Sequence, residues 1–143
     1  MAKDVLWLDN DVSFVIPYKE QLEAEGYRVT VVRTVSEASR KVHAYTYDLI
    51  ILDVMVPTKG EAEEREYPPT ETEAGHKTGL VFYRRLKSKL PAHTKVFVLT
   101  VMLDESVKEE FLAAQLPPGN FATKFSLRTV KDFRQRINSV MNG

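Results

Sequence analysis

Hydrophobic residues fall into short runs that are separated by longer amphipathic segments. The runs at 5–8, 49–52 and 96–99 are continuously apolar, which is typical of parallel strands covered on both faces. Residues 27–32 alternate between apolar and polar positions, as a half-exposed edge strand does. A weaker apolar pair at 121–122 predicts a short fifth strand. The pattern therefore indicates five strands.

The segments between these strands have the spacing of helices. In most of them apolar residues recur every three or four positions, behind a polar residue that can cap the first turn. The predicted helices span 13–25 and begin near Ser36, Thr78, Asp104 and Ser126. A strand followed by a helix, five times over, predicts an α/β fold with one parallel sheet and right-handed crossovers.

Residues 57–77 interrupt this alternation. The stretch contains a Pro68-Pro69 pair, two glycines and six glutamates, which is typical of a polar loop. Neither side of it can fold alone, so we interpret it as an insertion within one domain spanning 1–143. Because it has so few apolar residues, we expect the insertion to lack packed structure and to project beside the end of the third strand.

Composition and charge narrow the range of functions. Lysine and arginine together number 20, as do aspartate and glutamate, so we expect no direct binding to nucleic acid or to an anionic membrane. The absence of cysteine excludes disulfides and thiolate chemistry. No apolar stretch has the length of a membrane span or the form of a signal peptide, so we expect a cytoplasmic protein.

Polar residues that are able to bind a ligand or to react follow four of the predicted strands. These residues are Asp9, Asn10 and Asp11 after the first strand, Asp53 after the third, Thr100 after the fourth and Lys124 after the fifth. Ligands of open α/β sheets bind outside the carboxyl ends of the strands, so we expect these side chains to meet. Carboxylates, a hydroxyl and an ammonium suit a hard cation and a phosphoryl group, with one carboxylate as nucleophile.

Four segments, VLWLDND, YDLIILDVMVP, VFVLT and NFATKF, resemble the receiver domains of response regulators in two-component signalling. The resemblance covers essentially the whole chain. It implies a doubly wound, flavodoxin-like sheet of five parallel strands in the order 2-1-3-4-5. It also implies a phosphorylation-dependent switch, in which Asp53 accepts a phosphoryl group from a histidine kinase or a phosphotransfer protein.

The same resemblance assigns roles to the other residues. Thr100 and Lys124 act with the phosphoacceptor, Thr100 and Phe121 are the switch pair, and no organic cofactor is implied. The implied Mg2+ ligands are Asp9, Asn10, Asp53 and the backbone carbonyl of Met55, with Asp11 as a further candidate. Asn10 stands where the family usually has a second acid, so we expect weak Mg2+ binding.

The implied partners are the phosphodonor and an unidentified output protein. The output protein would bind the face built from the fourth predicted helix, the fifth strand and the last helix. We expect no enzymatic turnover beyond self-phosphorylation and self-dephosphorylation. The sequence leaves open whether the domain stands alone or is excised from a longer protein.

Two alternatives remain open at this point. The first is a pseudo-receiver that acts only as an interaction module, suggested by Asn10, by the insertion and by Phe125, which follows Lys124 where the family usually has proline. The second is a phosphatase of the haloacid-dehalogenase type, because Asp9-Asn10-Asp11 resembles the nucleophile motif of that family. In that alternative Asp9 is the nucleophile and Asp53 has no role.

Overall fold

A computed structural model describes residues 2–102 and 104–143 of the chain. It contains one parallel sheet, whose strands are Asp4–Leu8 (β1), Arg28–Val32 (β2), Leu49–Leu52 (β3), Lys95–Thr100 (β4) and Phe121–Thr123 (β5). The strand order is β2-β1-β3-β4-β5, which confirms the predicted doubly wound fold. The order reverses between β1 and β3, so their carboxyl ends border the crevice where such folds bind ligands.

Helices cover both faces of the sheet. They are Val12–Ala24 (α1), Val35–Ala44 (α2), Glu61–Glu66 (α3), Pro69–Thr72 (α4), Thr78–Leu86 (α5), Glu105–Ala113 (α6) and Val130–Asn142 (α7). Two short 3-10 helices span Lys87–Lys89 and Pro118–Asn120. In the described part of the chain, no helix combines the length and apolar character needed to cross a membrane.

Alternate residues of each strand supply the two halves of the core. In β3, Leu49 and Ile51 pack in the layer under α1 and α7, while Ile50 and Leu52 pack in the layer under α2, α5 and α6. All four side chains are fully buried. A sheet covered on both sides in this way leaves polar groups only at the strand ends, which is where the candidate site lies.

The insertion is packed structure, and the expectation of a loop without it is wrong. Residues 61–66 and 69–72 form α3 and α4, and the side chains of Glu63, Tyr67 and Thr72 are buried. The Tyr67 hydroxyl lies 2.5 Å from the Ser39 hydroxyl on α2. The insertion therefore covers part of the layer formed by α2 and α5.

Polar contacts attach the insertion at both of these helices. The Glu63 carboxylate accepts hydrogen bonds from the backbone N–H groups of Ser36 (3.0 Å) and Lys59 (2.8 Å). On α5, the Arg85 guanidinium lies 4.4 Å from the Tyr67 ring centroid and 2.7 Å from the Glu71 carboxylate. The glutamates whose abundance predicted a solvated loop thus form specific hydrogen bonds and ion pairs.

Two predicted helix starts need correction. Thr34, rather than Ser36, caps α2 by accepting a hydrogen bond from the Glu37 N–H at 3.2 Å. Thr129, rather than Ser126, caps α7 through the Asp132 N–H at 3.1 Å. Asp104 caps α6 as predicted.

Candidate functional site

The sheet brings together residues that lie far apart in the sequence. Asp9, Asp53 and Lys124 each directly follow a strand, and backbone hydrogen bonds to the neighbouring strand fix all three positions. The Asp53 N–H donates to the Leu8 carbonyl at 3.0 Å, and the Lys124 N–H donates to the Thr100 carbonyl at 2.8 Å. These side chains therefore emerge from the hydrogen-bonded ends of neighbouring strands.

Lys124 forms ion pairs with the carboxylates of both Asp9 and Asp53. Its ammonium nitrogen, Nζ, lies 2.9 Å from Asp9 Oδ2 and 3.3 Å from Asp53 Oδ2. Asp9 has no exposed surface, Asp53 is 4% exposed and Lys124 is 9% exposed. With all three ionised, the cluster carries one net negative charge in a position that water barely reaches.

Burial and the surplus charge together perturb proton binding at the cluster. Burial, and then the charge of Asp53, raise the pKa of Asp9 to about 6, although Lys124 and the Asp11 N–H act in the opposite direction. Burial favours a lower pKa for Lys124, but the charges of Asp53 and Asp9 together outweigh it and raise the pKa. Lys124 therefore stays charged, and the Asp9 carboxyl takes up a proton more readily than a free aspartate does.

The remaining predicted residues take different positions. Thr100 ends β4 fully buried, and its hydroxyl accepts a hydrogen bond from the Met102 N–H at 3.1 Å. The Met55 N–H donates to Asp53 Oδ1 at 3.4 Å, which places Met55 beside the carboxylate. Asn10 is half-buried directly after Asp9.

Asp11 and Phe121 are engaged elsewhere. The Asp11 carboxylate caps α1 by accepting a hydrogen bond from the Phe14 N–H at 3.3 Å, so it is not directed to the cluster. Its backbone N–H nevertheless supports Asp9 Oδ1 at 2.8 Å. Phe121 is buried against Phe111 of α6, with ring centroids 5.7 Å apart.

Known proteins were compared with the chain by sequence and by structure. No family model and no curated protein matches the sequence. Its structure resembles a CheY-like receiver domain from Methanospirillum hungatei JF-1, with a TM-score of 0.76, 18% identity and coverage of 99% of this chain and 95% of that one. The chain has the receiver-domain fold.

Two further receiver structures agree. A response regulator from Thermotoga maritima has a TM-score of 0.72 at 19% identity, and each chain is covered completely. The non-phosphorylated HemR receiver domain from Leptospira biflexa has a TM-score of 0.72 at 20% identity, with coverage of 97% of this chain and 94% of that one. These matches confirm the resemblance and extend across the insertion.

The donor set of this receiver fold suits Mg2+ in type. The ion prefers oxygen ligands, and Asp9 and Asp53 present carboxylates at the strand ends. Asp9 Oδ2 is buried and accepts no hydrogen bond from the described residues, although Lys124 pairs with its charge. Within residues 2–102 and 104–143, no three acidic, histidine or cysteine side chains gather as a metal cluster, so neutral oxygens would have to complete the shell.

Gly79, the second residue of α5, lies against the backbone of Asp53 and was not predicted as a site residue. A Cβ at this position would overlap the Asp53 carbonyl oxygen and approach Val54 Cα to 2.8 Å. The Gly79 N–H also donates to the Val54 carbonyl at 2.9 Å. The insertion thus leaves the sheet after Asp53 and returns directly onto the backbone of Asp53.

Proposed function

We propose that this chain is a phosphorylation-dependent signalling switch and that Asp53 is its phosphoacceptor. The observation that carries the proposal is the position of Asp53 at the switch point of the sheet, 3.3 Å from the Lys124 ammonium. A carboxylate held beside a fixed cation suits attack on phosphorus, because the cation offsets charge on the phosphoryl oxygens.

The proposed donor is a phosphohistidine of a kinase or a phosphotransfer protein. An Asp53 carboxylate oxygen forms the bond to phosphorus, the phosphorus–nitrogen bond breaks, and its electron pair returns to the imidazole. Lys124 then faces the phosphoryl oxygens, and the Thr100 hydroxyl donates to them. Asp9, Asn10, Asp53 and the Met55 carbonyl would hold Mg2+ weakly, and the bound ion supplies further neutralisation of the phosphoryl charge.

The proposed output passes through α6, β5 and α7. Thr100 ends β4, and the Met102 N–H that it holds lies in the connection to α6. Phe121 packs against Phe111 of the same helix. A hydroxyl that turns toward a phosphoryl group would release Met102 and bias the position of α6, which an output protein would bind.

A pseudo-receiver is the second candidate. Asn10 leaves the site with a single acid after β1, and Phe125 is 59% exposed beside Lys124. Aromatic side chains are enriched in protein interfaces, so this exposed ring is available for protein contact whether or not Asp53 is phosphorylated. The phosphatase alternative is disfavoured, because it gives no role to Asp53, which lies 3.3 Å from the Lys124 ammonium at the switch point of the sheet.

The deciding experiment is mass spectrometry after incubation with acetyl phosphate and Mg2+. We expect one acyl phosphate on the wild type and on Asp48→Asn, which changes an aspartate just before the opposite end of β3. Asp53→Asn should abolish it while retaining the circular dichroism spectrum. No labelling of the wild type favours the pseudo-receiver, and labelling that survives Asp53→Asn but not Asp9→Asn favours the phosphatase.

A further inference from the structure

Lys124 has a third neighbour besides the two carboxylates. The centroid of the Phe14 ring lies 4.4 Å from the Lys124 ammonium nitrogen. This is within the range of a cation–π interaction, in which the negative face of the ring attracts the charge. The ammonium is therefore held by Asp9, Asp53 and an aromatic face.

The ring itself is held by the core. The Phe14 N–H donates a hydrogen bond to Asp11 Oδ1 at 3.3 Å, and this capping interaction fixes the backbone of Phe14. The Phe14 ring packs on Tyr18 with centroids 4.8 Å apart, and Tyr18 packs edge-on against Phe133 at 5.0 Å. The Tyr18 hydroxyl donates to the Leu127 carbonyl at 3.3 Å, which limits its rotation.

From this geometry we infer that Phe14 is a positioning residue that holds the Lys124 ammonium over the phosphoacceptor. The inference rests on the proposed function of Asp53. An ammonium has three N–H donors, and an aromatic face attracts its charge without offering a lone pair. The ring therefore directs the ammonium while its donors remain free for oxygen, first of the carboxylates and then of the phosphoryl group.

An aliphatic side chain cannot replace the ring in this role. A leucine of similar size would fill the space but would present no negative face to a charge that is 9% exposed to water. Cation–π pairs are worth most where the cation is desolvated, as it is here. Loss of the ring is thus expected to loosen Lys124 without creating a large cavity.

The first test changes the electrostatics of the ring at nearly constant size. Phe14 is replaced by phenylalanines carrying one and then three fluorines, which weaken the negative face stepwise. The rate of acyl-phosphate formation on Asp53 from acetyl phosphate should fall in the same order, by about threefold to tenfold at three fluorines. Phe14→Leu should match the trifluorinated protein, and Phe14→Tyr should stay within about twofold of wild type.

Phe125 provides the matched control for this series. It adjoins Lys124 in sequence but is 59% exposed, so the same fluorinated residues at 125 should leave the rate unchanged. A flat series at 14 would overturn the inference. So would a rate that rises on fluorination or in Phe14→Leu, because Phe14 would then act as a steric cover.

A double-mutant cycle separates this inference from the proposed function. Unfolding by urea is measured for Phe14→Leu, Lys124→Met and the double variant, all without phosphorylation. We expect the two changes to be non-additive by about fivefold in the unfolding equilibrium constant. Failure of wild-type labelling together with this coupling would refute only the proposed function, whereas additive effects would refute the role of Phe14.

Discussion

The buried charges of the site are unbalanced at the level of single residues. Two carboxylates share one ammonium, and Asp9 is fully buried. Burying an ionised carboxylate is costly unless a partner compensates for it fully, and Lys124 is already shared with Asp53. Such a cluster is expected where charge serves binding or reaction rather than stability.

Asp9→Asn should therefore stabilise the metal-free protein at neutral pH. The pKa of Asp9 is about 6 in the folded chain against 3.8 for the free group, which corresponds to about 3 kcal/mol. The folded state binds the proton more tightly, so this contribution is complete below about pH 3.8 and is lost as the pH rises through 6. Chemical denaturation at pH 4 to 7 measures it.

The amide in this variant keeps an acceptor for the Asp11 N–H, so the local fold should survive. The difference in unfolding free energy between variant and wild type should grow from pH 4 to pH 7 and then level off. Asp48→Asn, which changes an aspartate just before β3, is the control for the substitution itself. Destabilisation by Asp9→Asn at pH 7 would mean that its pairing with Lys124 outweighs the cost of burial.

Gly79→Ala should be severely destabilising. The added methyl group would meet the backbone of Asp53 and Val54, which cannot move without disturbing the end of β3. Overpacking costs about 1 to 3 kcal/mol and occasionally more, and a clash with backbone atoms belongs at the upper end of this range. Gly119→Ala is the matched control, because its methyl group would enter open space and should change stability by less than about 0.5 kcal/mol.

At the scale of elements, the insertion connects α2 and α5 by contacting both helices. Glu63 satisfies the Ser36 N–H, one of the first-turn donors of α2 that have no partner within the helix. A carboxylate in this position also interacts favourably with the helix dipole. At the carboxyl end of the insertion, Lys77 Nζ lies 3.1 Å from Glu110 Oε2 on α6, so the insertion also contacts a third helix.

Glu63→Ala should lower the free energy of unfolding by roughly 1 to 3 kcal/mol, because it leaves the Ser36 and Lys59 N–H groups without their acceptor. Glu64→Ala, on the exposed side of α3, should change it by less than about 0.5 kcal/mol. Urea denaturation of both variants measures the difference. Equal stabilities would show that the hydrogen bonds of Glu63 to the Ser36 and Lys59 N–H groups contribute nothing to stability.

For the whole molecule, the sheet is shared by both layers of the core, so neither layer can unfold alone. Trp7 lies in the layer of α1 and α7, whereas the insertion packs on the opposite layer. We expect one cooperative transition, with Trp7 fluorescence and far-ultraviolet circular dichroism giving the same midpoint. An earlier transition confined to residues 57–77, seen by hydrogen exchange, would show that the insertion is a separate unit.

The strands and the residues that follow them were predictable from the sequence alone. Continuous apolar runs of four residues, alternating with helical segments, are typical of buried strands, and the carboxyl ends of parallel strands meet at one edge. Asp9, Asp53 and Lys124 were therefore predictable as a cluster before their distances were known. The cap of α2 was less predictable, since Thr34 and Ser36 both carry hydroxyls and only the backbone path selects one.

The packing of the insertion, the space at Gly79 and the surroundings of Phe14 were not predictable, because each depends on contacts between residues distant in sequence. The insertion has the composition of a solvated loop, yet Glu63 and Tyr67 find partners on α2 that no local pattern reveals. The space at Gly79 is set by the backbone of Asp53, 26 positions earlier in the chain. Phe14 has the spacing of a core residue, and only the approach of Lys124 from β5 places its ring beside a charge.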